Sequence, residues 1–316
     1  MRSWGEKRYH SLDYYIKEMY GEKLYKISLD GGMTCPNRDG TVGSGGCIFC
    51  SPEGSGDFAG DRRLSIKEQL DIGKSFIHKK RPVSSYIAYF QAFTNTYASV
   101  DYLEKIYTEA ITDPDVKVLS IATRPDCLSK EILELLFAMN QIKPVWIELG
   151  LQTIHKSTSD FIRRGYELDV FEKAVYDLEE IGIPVIVHTI LGLPNETPEM
   201  MLQTIDYLNT LPIQGIKLQL LHILRGTDLA VYYEEAPFSL PTLEEYLELL
   251  GILISHLRPD IVIHRLTGDG PKALLIAPTW TSNKRTVLNS IQKYLKDFDI
   301  WQGKEYKCQT HSHFTN

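Results

Sequence analysis

The sequence predicts an α/β protein, an open, partial (βα)6 barrel of parallel strands with a small C-terminal α/β extension. Three observations predict it. Six short apolar runs alternate with amphipathic, helix-length segments, the order that gives parallel strands joined by right-handed crossovers. Six units fall short of the closed eight-stranded barrel, so the sheet is expected to stay open. The polar residues suited to chemistry follow the strands, and in parallel α/β folds ligands gather at the carboxyl ends of strands.

In chain order, the strand-like runs are LYKISLD (24–30), SSYIAYFQ (84–91), KVLSIAT (117–123), PVWIELGLQ (144–152), PVIVHTILG (184–192) and GIKLQLLHI (215–223). Helices are expected over 66–80, 100–112, 129–141, 170–181 and 198–210, and a further helix over 243–257 closes the series. Ser129 ahead of EILELLF and Pro198 after Thr197 are helix-start signals. After Pro259, IVIHRL reads as one more strand and TGDGP as a turn. ALLIAP and TVLNSIQKYLKDF then read as a strand and a helix packed on the barrel. The chain thus divides into an aromatic and basic segment (1–22), the barrel (23–258) and a C-terminal extension (259–316) with a polar, frayed tail from Gln302.

Composition narrows the function classes. With 316 residues and 43% hydrophobic content, the chain can bury a sizeable core. A net charge of −7 argues against wholesale binding to nucleic acid or anionic membrane, and no DNA partner is expected. No apolar run is long enough to cross a bilayer, and the N-terminus lacks a signal peptide's apolar stretch, so a cytoplasmic protein is expected. Local basic and aromatic groups remain. Tyr9, Tyr14, Tyr15, Tyr20 and Tyr25, with Arg2, Lys7 and Arg8, form either an RNA-stacking surface or a helix packed on the barrel. Lys272, Lys284, Arg285, Lys293 and Lys296 make the C-terminal segment locally basic.

Of five cysteines, Cys35, Cys47 and Cys50 sit in one loop, CPNRDGTVGSGGCIFC, after the first strand. An odd count is a poor disulfide framework and fits a reducing compartment, where clustered cysteines mean metal or catalysis. The C-x11-C-x2-C spacing brings a close pair onto one centre, and the glycines at 40, 43, 45 and 46 let the first cysteine fold back. Three thiolates can hold an iron–sulfur cluster with one iron left open, whereas electron-transfer clusters use four. Structural zinc, which takes four ligands, and unmetallated cysteines stand as alternatives.

With Phe49 just before the last cysteine, the loop resembles that of the radical S-adenosylmethionine (SAM) superfamily. CPNRDGTVGSGGCIFC followed by GSGDF is similar to the elongator catalytic subunit branch, as are ATRPDCL, ELGLQT, RRGY and HTILGLPNET. HRLTGD and LLIAPTWTSNKRTVLNSI resemble the C-terminal part of the bacterial YhcC/YtqA family. The resemblance implies an enzyme with a [4Fe–4S] cluster on Cys35, Cys47 and Cys50 and SAM on the open iron. An electron from a donor such as flavodoxin or ferredoxin then yields a 5′-deoxyadenosyl radical that abstracts hydrogen from substrate. It points to a tRNA base as substrate. A small-molecule or porphyrin-like substrate is the alternative, and a zinc-stabilised interaction module is the non-enzymatic one. The pattern departs in two places. FQAFTNTYA replaces the Gly-Gly-Glu-like run after strand two, and too few residues follow the barrel for the elongator acetyltransferase-like domain. No acyl-CoA reaction is therefore expected.

Individual residues follow from strand parity and from the resemblance. Period two puts Trp146, Glu148, Gly150 and Gln152 on one face of strand four, expected to point inward. Glu148 and Gln152 are the cofactor-facing candidates. Glu148 either accepts ribose hydroxyls or forms a buried ion pair with lysine or arginine. Carbonyls from Gln91 to Phe93 are candidates for the methionine amino group, and Arg163 and Arg164 for its carboxylate, a surface salt bridge being the other reading of either arginine. His188 reads as a satisfied interior histidine. Cys127, after strand three, is the candidate for hydrogen donation or substrate holding, against a small buried filler. Cys308 with His311 and His313 either binds a metal ion or belongs to a disordered tail.

Overall fold

The structure, a computed structural model, describes residues 4–80, 83–268 and 270–307; Cys308, His311 and His313 lie outside them. The strands are β1 (Tyr25–Leu29), β2 (Tyr86–Phe90), β3 (Val116–Thr123), β4 (Val145–Gln152), β5 (Val185–Leu191), β6 (Gly215–Leu220), β7 (Ile223–Leu224), β8 (Val262–Arg265) and β9 (Leu275–Ala277). The helices are α1 (Leu12–Tyr20), α2 (Ile66–His78), α3 (Val100–Ile111), α4 (Lys130–Asn140), α5 (Lys156–Phe161), α6 (Leu168–Glu180), α7 (Pro198–Leu208), α8 (Asp228–Glu235), α9 (Leu243–His256) and α10 (Lys284–Asp297). β1 to β6 and β8 form one sheet in that order, every pair parallel. Among the described residues β1 and β8 are the sheet's two edge strands and do not pair with each other, so the barrel is open as expected.

Two strand assignments change. IVIHRL becomes β8, the seventh strand of the sheet, registering Gly215 with Val262. α9 is itself a crossover helix, and it returns the chain parallel to β6 instead of ending the series. GIKLQLLHI splits after Leu220, and its end becomes β7, which pairs antiparallel with β9. The short helices α5 and α8 went unpredicted.

Alternation along the strands sorts the core into two layers. Val145, Ile147, Leu149 and Leu151 of β4 join Val185 and Val187 of β5 in the outer cluster under the helices. The inward residues at the amino ends of the strands, Ile87, Val118, Trp146 and Ile186, meet Ile16 of α1 in a separate cluster. α1 is capped at both ends. The Ser11 hydroxyl accepts from Tyr14 N, and Gly21, at φ 70°, returns its N–H to the Lys17 carbonyl. Ser11 also bridges Ile263 of β8, so the helix lies across the bottom of the barrel. Of the N-terminal tyrosines, Tyr9 is buried in the outer cluster, and Tyr15 and Tyr20 pack against the inner one.

Gln302, where fraying was expected to begin, is tied down instead. Gln302 is buried, accepts from His10 N at 2.8 Å, and donates to the carbonyls of Arg258 and Ile261 at 2.8 Å each.

Candidate active site

The cysteine loop between β1 and α2 has little regular structure, so its shape rests on individual hydrogen bonds. The Arg38 and Asp39 amides donate to the Cys35 carbonyl, and the Cys50 amide donates to the Cys47 carbonyl. The Arg38 guanidinium gathers the carbonyls of Cys50, Ser51 and Pro52, at 3.1, 2.5 and 3.3 Å. The loop is anchored at Ile48. Its amide donates to the Ile162 carbonyl, its carbonyl accepts from Leu229 N, and its side chain sits in a small apolar cluster. Gly54 seats the loop on the turn after β2. It lies at φ +60°, and a Cβ there would fall 2.4 Å from the Phe93 ring. Gly54→Ala is expected to cost about 1–3 kcal/mol of stability, read by urea unfolding.

Cys35, Cys47 and Cys50 all line one cavity of about 400 Å³. Two polar groups approach their sulfurs: Asn37 Nδ2 lies 3.5 Å from Cys47 Sγ, and Ser55 Oγ lies 3.7 Å from Cys50 Sγ. Burial, reinforced by Cys50, pushes the Cys47 thiol up to about 12. Burial also raises Cys50, although Arg38 opposes it. Buried thiols of this kind become thiolates when a metal supplies the positive charge. Among the described residues no three His, Cys, Asp or Glu side chains are arranged to hold a single metal ion. Soft ligands spread around a cavity, with polar side chains beside two of the sulfurs, fit an iron–sulfur cluster. Asn37 also donates to the Arg163 carbonyl at 2.6 Å, which fixes its amide. Asn37→Ala is expected to lower iron retention about tenfold, measured by chelator challenge of the reconstituted protein.

Below the cysteines the cavity runs down to a buried charge network. Glu148 is fully buried. Its Oε1 accepts from Lys26 Nζ at 2.6 Å and Ser120 Oγ at 2.9 Å. Its Oε2 accepts from Lys217 Nζ and from His188 Nε2, the latter at 2.7 Å. Burial pushes the Glu148 carboxyl up, but Lys217 and Lys26 outweigh it and hold it well below the usual range. Burial and Lys217 lower His188 to about 4, so its neutral ring donates to the carboxylate at neutral pH. His188 is the satisfied interior histidine expected. Glu148 forms the buried ion pair with lysine that was one of its two readings, at the wall of the cavity.

Phe49, Gln91 and Gln152 line the same cavity. Gln91 bridges Ser28 Oγ, at 3.2 Å, and the Ser55 carbonyl, at 3.1 Å. Gln152 sits at φ +64° at the end of β4.

The two arginines separate. Arg164 is buried at the wall of the same cavity and donates to the carbonyls of Leu151, Thr153 and Tyr166, so it clamps backbone. Arg163, at φ +55°, turns away and pairs with Asp228 outside the cavity lining. Cys127 also departs from expectation. It lines a second hollow with Pro36, Thr41 and Tyr97, on the far side of the cysteine loop, and not the main cavity. Arg124 forks onto Asp126 at 2.9 and 2.7 Å beside the short turn that carries it. Burial, with Asp126 adding to it, pushes the Cys127 thiol up to about 12. The thiol therefore stays protonated, and its place in the second hollow is what sets it apart from the main cavity. Sequence reading missed Asn37, Arg38, Lys26 and Lys217. Parity held a signal for Lys217, which shares the inward face of β6 with Gln219.

An open parallel half-barrel with three cysteines at its mouth defines a class, and the chain belongs to the radical SAM superfamily, whose model matches residues 38–208. A radical SAM C-terminal domain matches residues 213–297. It is therefore an enzyme of that class. YtqA of Bacillus subtilis (strain 168) is 43% identical over 96% of this chain and 94% of its own length. The tRNA uridine(34) acetyltransferase of Methanocaldococcus jannaschii is 26% identical over 62% of this chain, which spans 35% of that protein. In three dimensions the fold matches archaeal Methanocaldococcus infernus Elp3 with an N-terminal deletion. The TM-score is 0.68 at 16% identity, over 88% of this chain and 64% of that one. No helix among the described residues is long and apolar enough to cross a membrane.

Proposed function

We propose that the protein is a cytoplasmic radical SAM enzyme that modifies RNA, with a tRNA base as its substrate. The observation that carries the chemistry is the convergence of Cys35, Cys47 and Cys50 on one deep cavity, with the Asn37 and Ser55 side chains beside their sulfurs. When bound, a [4Fe–4S] cluster supplies the electron that cleaves SAM to methionine and a 5′-deoxyadenosyl radical, which takes hydrogen from substrate. The chain's residues do the rest. The cysteines hold the cluster, and Asn37 and Arg38 fix the loop that carries them. Gln91, Gln152 and Phe49 shape the wall where the nucleoside and methionine parts of SAM would lie, and the half-barrel keeps water from the reacting atoms. The reductant is a small electron carrier such as flavodoxin or ferredoxin.

Support for RNA comes from the similarity to a tRNA uridine(34) acetyltransferase over the barrel. The similarity spans 35% of that protein, and the proposal concerns the barrel's chemistry alone. The expected results are 5′-deoxyadenosine from SAM under anaerobic reduction, salt-sensitive tRNA binding, and a nucleoside missing from tRNA of a deletion strain by mass spectrometry. Zinc bound without sulfide would end the radical reading. Intact nucleosides in the deletion strain would move the substrate to a small molecule.

A further inference from the structure

We propose that the inner end of the cavity, at Lys217, binds a singly charged oxyanion of the substrate, a carboxylate or a phosphodiester. The inference rests on reading the cavity as the reaction chamber. Its basis is a charge imbalance. Lys26 and Lys217 both pair with Glu148, one on each carboxylate oxygen, and Ser120 and His188 occupy the remaining positions. Beyond that carboxylate, Lys217 reaches the Tyr89 hydroxyl at 3.2 Å, and Lys26 lies 4.4 Å from the centre of the Tyr89 ring. Both are neutral partners. Two ammonium groups thus share one carboxylate, with His188 neutral beside them.

An ammonium buried without its own counterion is costly, and the side chain of Lys217 is only 4% exposed. Burial, Lys26 and Arg265 all push its ammonium well down from the usual value, and Glu148 alone opposes them. Among the described residues Glu148 is the one carboxylate bonded to these lysines, and one further negative charge would balance them. The main cavity gives it a way in. Beneath the network, Trp146 and Ile186 pack with α1, whereas Lys217, Glu148, His188 and Tyr89 all face the cavity, beside Gln219 and Arg265. A purely structural ion cluster would have no reason to present its surplus charge there. The cysteines stand at the other end, so a substrate anchored at Lys217 would extend toward the centre where hydrogen is abstracted.

The test is calorimetric titration of the full-length, anaerobically reconstituted protein with propionate and, in a separate arm, with dimethyl phosphate. Binding of propionate alone identifies a carboxylate substrate, and binding of dimethyl phosphate alone identifies a nucleotide backbone. Lys217→Met is expected to weaken binding at least about tenfold, and Glu148→Gln, which removes the internal competitor, to tighten it about tenfold. Failure of both probes to bind the unmodified protein overturns the proposal, as does binding that survives Lys217→Met. Should Lys217→Met not fold, Glu148→Gln decides, and unchanged or weaker binding overturns it. These titrations need no turnover. A protein that binds the anions but does not cleave SAM refutes the radical reading alone; one that cleaves SAM but binds neither anion refutes this proposal alone.

Discussion

Cys47→Ser removes iron and sulfide from the anaerobically reconstituted protein and lowers 5′-deoxyadenosine formation by more than about a hundredfold, since even residues behind metal ligands are worth 10- to 100-fold. Cys35→Ser and Cys50→Ser do the same. The fold survives all three substitutions, because the loop is held by contacts that are not thiol contacts. Arg38 gathers three carbonyls, and Ile48 is tied to Ile162 and Leu229. Metal analysis, far-UV circular dichroism and product assay on the same preparations check this. Loss of fold together with loss of iron would mark the metal as a structural one, and retention of iron would remove that cysteine from the ligand set.

Arg164→Ala lowers stability by about 3–5 kcal/mol, the cost expected when one side of a buried, charged hydrogen-bond set is deleted. The guanidinium serves Leu151 and Thr153 at 3.0 and 2.7 Å and Tyr166 at 3.2 and 3.0 Å, and it lies 4.6 Å from the centre of the Tyr166 ring. Its removal strands carbonyls at the carboxyl end of β4 in a place water does not easily reach. Urea unfolding measures the loss. A carboxylate-binding role would instead leave the midpoint alone and raise the KM for SAM, so the two readings give opposite patterns.

These two residues show what the sequence made legible. The cysteine loop is a local signal: spacing, glycines and position after a strand all lie within one short segment. Strand parity is local as well, which is why the inward set of β4 and the interior place of His188 agree with the structure. Contacts that close over long separations are different. Lys26 and Lys217 meet Glu148 from positions 122 and 69 residues away, and no pattern within one segment announces their pairing. Adjacent arginines carry no mark of which one is buried. The turn at Arg163, with its positive φ, decides that by sending the two side chains apart. Cys127 follows a strand like its fellow cysteines, yet the loop that carries Cys35 stands between it and the cavity. β8 was misplaced for a related reason, since nothing inside IVIHRL tells whether a neighbouring edge is vacant.

The short capped helix beneath the barrel, α1, has a kinetic consequence. With Ile16 wedged among Leu24, Ile87, Val118, Trp146 and Ile186, the chamber is plugged at the amino ends of the strands. What enters by the main cavity then passes the cysteines on its way in and on its way out. Traffic is then ordered by depth: the deepest occupant boards first and departs last, and whatever sits above it must clear the way before the next turnover can begin.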